Sequence, residues 1–463
     1  MRVDLLVVGG GTAGLVGART AASFGASVLL VERERTGGDC LNTGCVPSKA
    51  LLAAAAAAAD ARAAGRFGVR VAGVEVDAAA VMAHVKGAIA TIAPVDSPAA
   101  LRAAGVAVRH ATARFTGPAV ADVDGEEVAF GAALIATGSD PLVPPVPGLR
   151  EVAPLTSDTV WDLDAFPRRL AVLGGGSIGC ELGQAFARLG SAVTLVEAAP
   201  RLLPNEDPDA SALVADALRR DGVVLHLGVA VAAADAAGVD LADGRRVDAD
   251  ALLVALGRVP DTRGLGLDAA GVAVDERGFV RVDGTLRTAN PRIWAAGDVT
   301  GHPAFTHLAG VHGSTAATNA VLGLRRRAED PAVVPRVTYT APEVAAVGAR
   351  EGHHVRTVPL TAVDRAVADG RTDGFTRLVL DRRGRVRGAT VVGPRAGETL
   401  GELTLAVRNG LRARDLAGTV HPYPTYANGP WDAAIADVRA RLGARPARLV
   451  TRVLRAVGQR RAR

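Results

Sequence analysis

The chain has 463 residues, room for about three ordinary domains. Apolar residues make up 49% and charged residues 22%, which excludes a disordered chain, while 54 glycines and 3% aromatics suit a glycine-rich α/β enzyme. The net charge of +5 does not point to nucleic acid, because nine arginines and no acid fall in residues 439–463, and no basic patch is interleaved with aromatics.

No charged leader precedes the first apolar run, Val3–Gly9, and three cysteines cannot form a disulfide framework, so a cytoplasmic protein is expected. No window approaches the roughly 18 unbroken apolar residues of a membrane span. Ala50–Ala59, mostly alanine, reads as a helix. Residues 3–34 read as strand, glycine turn, helix and strand, a βαβ unit, and residues 169–199 repeat that order 165 positions later. Two copies at that separation point to two nucleotide sites. Between them LIATGSDPLVPPVPGL ends in a proline-dense crossing, and ALLVALGRVPD closes the second unit. IWAAGDV at 293–299 precedes a helix-like run. From Val333 the alternating patterns VTYT, TRLVLD and GRVRGATVVG, with a helix at 398–410, read as a third, α+β domain. The tail from Pro446 puts Leu449, Val450, Val453, Leu454 and Val457 on one helical face and arginines on the other, a form that docks on protein or lies on an anionic membrane.

Gly9, Gly11 and Gly14 fit GxGxxG between strand and helix, and Glu32 follows 18 residues after the third glycine. Such glycines let the backbone approach a pyrophosphate at the helix N-terminus, and the carboxylate accepts from a ribose hydroxyl. Gly174, Gly176, Gly179 and Glu197 repeat the spacing. A carboxylate there repels a 2′-phosphate and favours NADH over NADPH, a preference that nearby Arg201 softens. GGDCLNTGCVPSKALLAAA places Cys40 and Cys45 just before an alanine-rich helix. Their spacing matches no usual zinc pair, so no metal site is expected, whereas the field at a helix start stabilises a thiolate. Only two lysines occur among 53 basic residues, Lys49 and Lys86, so Lys49 beside the cysteines is informative.

Two dinucleotide fingerprints, CLNTGCVPSK, ATG at 136–138 and AAGD at 295–298 together resemble the FAD-dependent pyridine nucleotide-disulfide oxidoreductases, in the branch of mercuric-reductase-like and dihydrolipoamide-dehydrogenase-like enzymes. The resemblance runs from about residue 3 to 436. It implies two Rossmann-like domains and a dimerisation domain. The FAD-binding domain would be assembled from two segments, 1–147 and 269–328, with the NAD(P)-binding domain at 148–268 between them, the dimerisation domain at 329–440 and the basic tail at 441–463. Gly9, Gly11, Gly14, Glu32, Gly138 and Asp298 would hold FAD, with Ala113 and Ala136 as backbone contacts. Gly174, Gly176, Gly179, Glu197 and Gly257 match the nicotinamide-nucleotide positions. Cys45 would face the flavin as the charge-transfer thiolate, Cys40 would pass electrons to the acceptor, and Lys49 and Glu181 would form the ion pair beside the flavin. A homodimer is implied, with Tyr423 of one copy completing the site of the other.

The resemblance breaks at HPYPTYANG. Where relatives carry a histidine base and a glutamate in HPTxxE, Pro424 and Thr425 put Tyr423 and Asn428; His421 falls two positions early and is the alternative base. A tyrosine, with its ordinary pKa near 10, is a poor base at neutral pH, which disfavours fast dithiol–disulfide exchange. Tyrosine here is also what mercuric reductases show, but they carry a C-terminal cysteine pair, and no cysteine follows Cys180 in this chain. Cys180 reads as packed and structural, and His353 and His354 as a surface loop. Asp39 stands where threonine is common; either its charge raises the pKa of the neighbouring Cys40 thiol and makes it less nucleophilic, or it caps a turn. The expectation is an NAD(P)H-dependent flavoprotein disulfide reductase serving a small acceptor. The alternatives are mercuric ion reduction, direct flavin-to-quinone transfer, or a flavoprotein binding or assembly module without turnover.

Overall fold

The computed structural model describes residues 1–443, 450–455, 457 and 459. The chain divides into two compact units: Met1–Leu202 with Leu218–Pro331, and Leu203–Ala217 with residues from Ala332 onward.

The first unit holds both glycine-turn repeats. Strands Val106–His110, Val28–Glu32, Arg2–Val8 and Glu126–Ile135 lie side by side in that order and run parallel, and Ile293–Ala295 joins the far half of Glu126–Ile135. Alternation sends Leu6, Val8, Leu29 and Val31 to one face, and Leu5, Val7, Val28 and Leu30 to the other. Both faces are covered, so the strands read as unbroken apolar runs rather than alternating ones. The second repeat builds a four-stranded parallel sheet in the order Val224–Leu227, Ala192–Glu197, Arg169–Leu173, Ala251–Val254. A short antiparallel pair, Ser139–Pro141 with Arg258–Pro260, marks the crossings where the sequence shows its proline and glycine signals. Leu265 and Leu267 already pack in the core of the first sheet.

Residues Ala78–Ala103 form a helical run that contains an 18-residue stretch with a mean hydropathy of 1.5, of which only 11% is buried. By length and composition alone it could cross a membrane. A search for unbroken apolar residues misses it because His84, Lys86 and Asp96 interrupt the run, which Pro94 and the cap at Ser97 also divide.

The second unit carries a five-stranded antiparallel sheet ordered Arg336–Thr338, Glu343–Gly348, Val386–Gly393, Phe375–Leu380, His354–Pro359. Helices Ala396–Asn409 and Asn428–Leu442 bury Leu400, Leu403, Ala433 and Ala434 against it. Of the tail face, Pro446 and Leu449 lie outside the described residues, while Val450, Val453, Leu454 and Val457 are exposed.

Candidate active site

The two glycine turns share one geometry. Gly9 and Gly174 have φ of +106° and +113°, conformations open to glycine, and a Cβ on Gly14 or Gly179 would lie 1.9 Å from the carbonyl oxygen of Gly9 or Gly174. These four glycines let helices Thr12–Ser23 and Ser177–Arg188 sit against their strands. The middle glycines differ: a Cβ on Gly11 would meet only Gly38, at 3.9 Å, and one on Gly176 would meet nothing within 4 Å. That open space lies at a helix N-terminus, where free N–H groups attract a pyrophosphate. Glu32 accepts from the N–H of Gly10 at 2.6 Å and of Glu34 at 2.7 Å, and Glu197 repeats this with Gly175 and Ala199 at the same distances. Each carboxylate therefore shapes its own turn.

Beside the first turn opens a cleft of about 440 Å³. Gly9, Gly11, Glu32, Ala113, Ala136, Gly138 and Asp298 all line it, drawn together from across the first unit, and Gly14 stands behind it. A cleft lined by these glycines and by the carboxylates of Glu32 and Asp298 fits a dinucleotide such as FAD. Gly257, at φ +131°, shapes the turn that leads into Arg258–Pro260.

The thiols sit on two helices rather than in one first turn. Cys40 lies in the short helix Gly38–Asn42 and lines the cleft, and Cys45 is the first residue of the long helix Cys45–Ala63. Both are free thiols in this structure. A hydrogen bond from Cys40 is the main influence that holds the Cys45 thiol down to about 6, and Thr306 and the Lys49 ammonium add to it against the opposing effect of burial. The same shared hydrogen bond, with burial, pushes Cys40 well above the usual thiol range. Thr306 Oγ1 lies 3.2 Å from Cys45 Sγ. Lys49 Nζ donates to Glu181 Oε2 at 2.8 Å, and Glu181 is buried. Cys180 is buried, with its thiol raised by desolvation to well above the usual range.

Three residues that sequence reasoning missed hold this region. Trp161 Nε1 donates to Thr43 O at 2.7 Å and to Ser157 O at 2.6 Å, pinning the segment between the cysteines. Arg258 donates to Ser139 Oγ at 2.7 Å and pairs with Asp39, and Ser139 donates to Asp298 at 2.9 Å. Half of the Asp39 side chain meets solvent, yet desolvation at its carboxylate pushes it up to about 6 against the pull of Arg258. The rise of Cys40 comes chiefly from its hydrogen bond with Cys45 and from burial, not from Asp39. The third is Thr306, which no motif in the sequence marks.

In the second unit, Tyr423 is exposed and donates to Asp364 Oδ2 at 2.5 Å. His421 faces acceptors at both nitrogens, Thr419 O at 2.9 Å and Glu402 at 3.0 Å. Asn428, in the glutamate's place, is buried and accepts from Thr425 N at 2.9 Å.

The model of the pyridine nucleotide-disulphide oxidoreductases matches residues 3–313, and that of their dimerisation domain matches residues 334–434. The chain belongs to this family. It is 40% identical to a mercuric reductase of Streptomyces lividans, over 92% of this chain and 94% of that one. It is 38% identical to a dihydrolipoyl dehydrogenase of Thermus scotoductus, over 93% and 96%. Among solved structures it is similar to LpdA from Mycobacterium tuberculosis (TM-score 0.85, 30% identity, covering 96% of this chain and 100% of that one). It is also similar to the HOCl-induced flavoprotein disulfide reductase RclA from Escherichia coli (TM-score 0.82, 28% identity, 93% and 98%). As a pyridine nucleotide-disulphide oxidoreductase, the chain is an enzyme with two Rossmann-type domains that bind FAD and NAD(P)H, and it forms a homodimer through its C-terminal domain.

Proposed function

We propose that this flavoprotein disulfide reductase takes electrons from NADH and delivers them through the Cys40/Cys45 dithiol to a small acceptor that needs no proton from the enzyme, a thiophilic metal ion foremost. Bound FAD supplies the two-electron relay between nicotinamide and thiols. Gly9, Gly11, Gly14, Glu32, Gly138 and Asp298, with backbone contacts at Ala113 and Ala136, are assigned to holding it; Gly174, Gly176, Gly179, Glu197 and Gly257 are assigned to NADH. Glu197 at the end of its strand is the reason for preferring NADH.

The observation that carries this reading is the unequal thiol pair: one sulfur held as thiolate by Cys40, Thr306 and Lys49, the other a thiol on the cleft wall. In delivering two electrons the pair closes to a disulfide, and the one remaining S–H proton leaves for solvent. Disulfide acceptors would in addition need an acid for the leaving thiolate. Tyr423, assigned to the acceptor site of the other copy, already donates to Asp364; His421 and Asn428 are engaged by their own unit. Mercuric and dihydrolipoyl relatives stand on either side of this choice; the missing acid favours the metal, which the Cys40/Cys45 dithiol would receive directly, since no cysteine follows Cys180 to deliver it.

The test is NADH oxidation by wild type and Cys40→Ser with Hg(II), Cu(II), lipoamide, glutathione disulfide and a soluble quinone. Metal reduction that is lost with Cys40 supports the reading. Rates that survive the substitution overturn it and favour direct transfer to a quinone. The exposed apolar residues Val450, Val453, Leu454 and Val457 support a second proposal, peripheral contact with anionic membrane. Liposome binding unchanged by deletion of residues 441–463 would remove it.

A further inference from the structure

Two tyrosine–aspartate pairs tie residues 423–426 to residues 364–369. The inner pair is Tyr426, buried with Leu360, Val363 and Ala366, whose hydroxyl donates to Asp369 Oδ2 at 2.9 Å. Arg365 holds Asp369 in turn, at 2.8 Å. This pair anchors the loop. The outer pair, Tyr423 with Asp364, lies at the surface of its own subunit, which leaves 70% of Tyr423 uncovered, so its 2.5 Å hydrogen bond is not needed to fill that subunit's core. An O–H···O⁻ bond of that length is charge-assisted and among the stronger kinds. A phenol has one hydrogen and its oxygen keeps its lone pairs. Once the hydrogen is given to Asp364, only lone pairs face whatever approaches.

We propose that Asp364 is a positioning residue that acts through Tyr423, turning the hydroxyl hydrogen away from the acceptor so that Tyr423 meets it as a ligand or hydrogen-bond acceptor and never as a proton donor. This rests on the reading that Tyr423 serves the acceptor site. The carboxylate also raises the Tyr423 pKa, keeping the hydrogen on the phenol. A cation, or a group with its own S–H, gains from such a partner; a leaving thiolate that needs a proton does not. Asp364 thereby becomes a determinant of specificity.

The test is a double-mutant cycle on the holoenzyme, with Hg(II) and lipoamide as probes and kcat and KM measured separately. Asp364→Ala and Tyr423→Phe should each lower kcat/KM for Hg(II) by about tenfold, the size of one charge-assisted hydrogen bond. The double variant should match Tyr423→Phe alone, because an effect carried through the hydroxyl disappears with it. Asp364→Asn, whose amide oxygen still accepts, should recover most of the loss, and lipoamide reduction should not fall in Asp364→Ala, where the O–H is released. Tyr426→Phe serves as the control: it weakens the inner anchor and should cost stability without changing the Hg(II)-to-lipoamide ratio. An Asp364→Ala loss of equal size in both backgrounds overturns the proposal. So does a Tyr423→Phe enzyme with unchanged Hg(II) kinetics while Cys40→Ser abolishes them, which leaves the dithiol reading intact. Hg(II) turnover that survives Cys40→Ser overturns the dithiol reading and this proposal with it.

Discussion

Lys49 and Glu181 meet at 2.8 Å although 132 positions separate them, joining the helix that begins at Cys45 to the helix behind the second glycine turn. The carboxylate is buried and the ammonium is about two-fifths exposed, so the two ends respond differently to loss of the partner. Lys49→Met strips a buried carboxylate of its ammonium and should cost about 2 kcal/mol, less than a fully buried pair because the lysine is wet. Glu181→Gln leaves the lysine solvated and should cost less. Lys49→Met should also raise the Cys45 pKa, since the ammonium is one of the groups that lower it. Thermal unfolding of the holoenzyme and thiol alkylation check the two effects, and Lys49→Arg should not restore the wild type, because a planar guanidinium does not replace a compact ammonium.

The Cys45 thiol, lowered to about 6, is largely ionised at neutral pH and protonates as the pH falls through that value. Iodoacetamide alkylation of the reduced enzyme, with Cys45 located by mass spectrometry, should therefore rise with a midpoint near 6. Thr306→Val deletes one of the hydrogen bonds and should move that midpoint upward by about one unit. A wild-type midpoint close to that of an ordinary thiol would show that the thiolate is not held.

The glycines of each turn should separate by what surrounds them. Gly14→Ala and Gly179→Ala drive a methyl into a carbonyl oxygen and should destabilise by about 3 kcal/mol. Gly11→Ala and Gly176→Ala put the methyl into open space, so the apoprotein should keep its unfolding temperature. Gly11→Ala should then weaken FAD retention, and Gly176→Ala should raise KM for NADH with kcat little changed. Calorimetry on the apoprotein, flavin release and steady-state kinetics read the three effects.

Much of this arrangement was legible in the sequence because it depends on local rules. The repeated glycine spacing, the carboxylate 18 residues on and the apolar runs each report a strand, turn or helix that the next few residues settle. The cysteines were legible as a pair. Their placement on two helices was not, because the turn at Thr43 and Gly44 is held by Trp161, more than a hundred positions away. Arg258, Thr306 and Asp364 were missed for the same reason: each acquires its meaning from a partner that only tertiary structure brings near. Asp39 shows the cost of reading a charge without its surroundings: it pairs with Arg258, and Cys40 is raised chiefly by its hydrogen bond with Cys45 and by burial.

His421 is the remaining candidate for the lost base, and its surroundings argue against that role. Its ring stacks on Trp431 with centroids 5.7 Å apart, its side chain is only 5% exposed, and Thr419 O and Glu402 occupy both nitrogens. A general base must offer a nitrogen to the proton it takes. Here both nitrogens point at acceptors of the same subunit, which makes the ring a brace for the loop that carries Tyr423. His421→Asn should lower stability by about 1 to 3 kcal/mol, the usual effect of breaking a buried hydrogen-bonded group. It should leave the shape of the pH–rate profile unchanged, whereas a base would take one limb of the profile with it. Measuring kcat/KM for lipoamide and Hg(II) from pH 5 to 9 in both enzymes separates the two roles, and loss of a limb in the variant would restore His421 as the base.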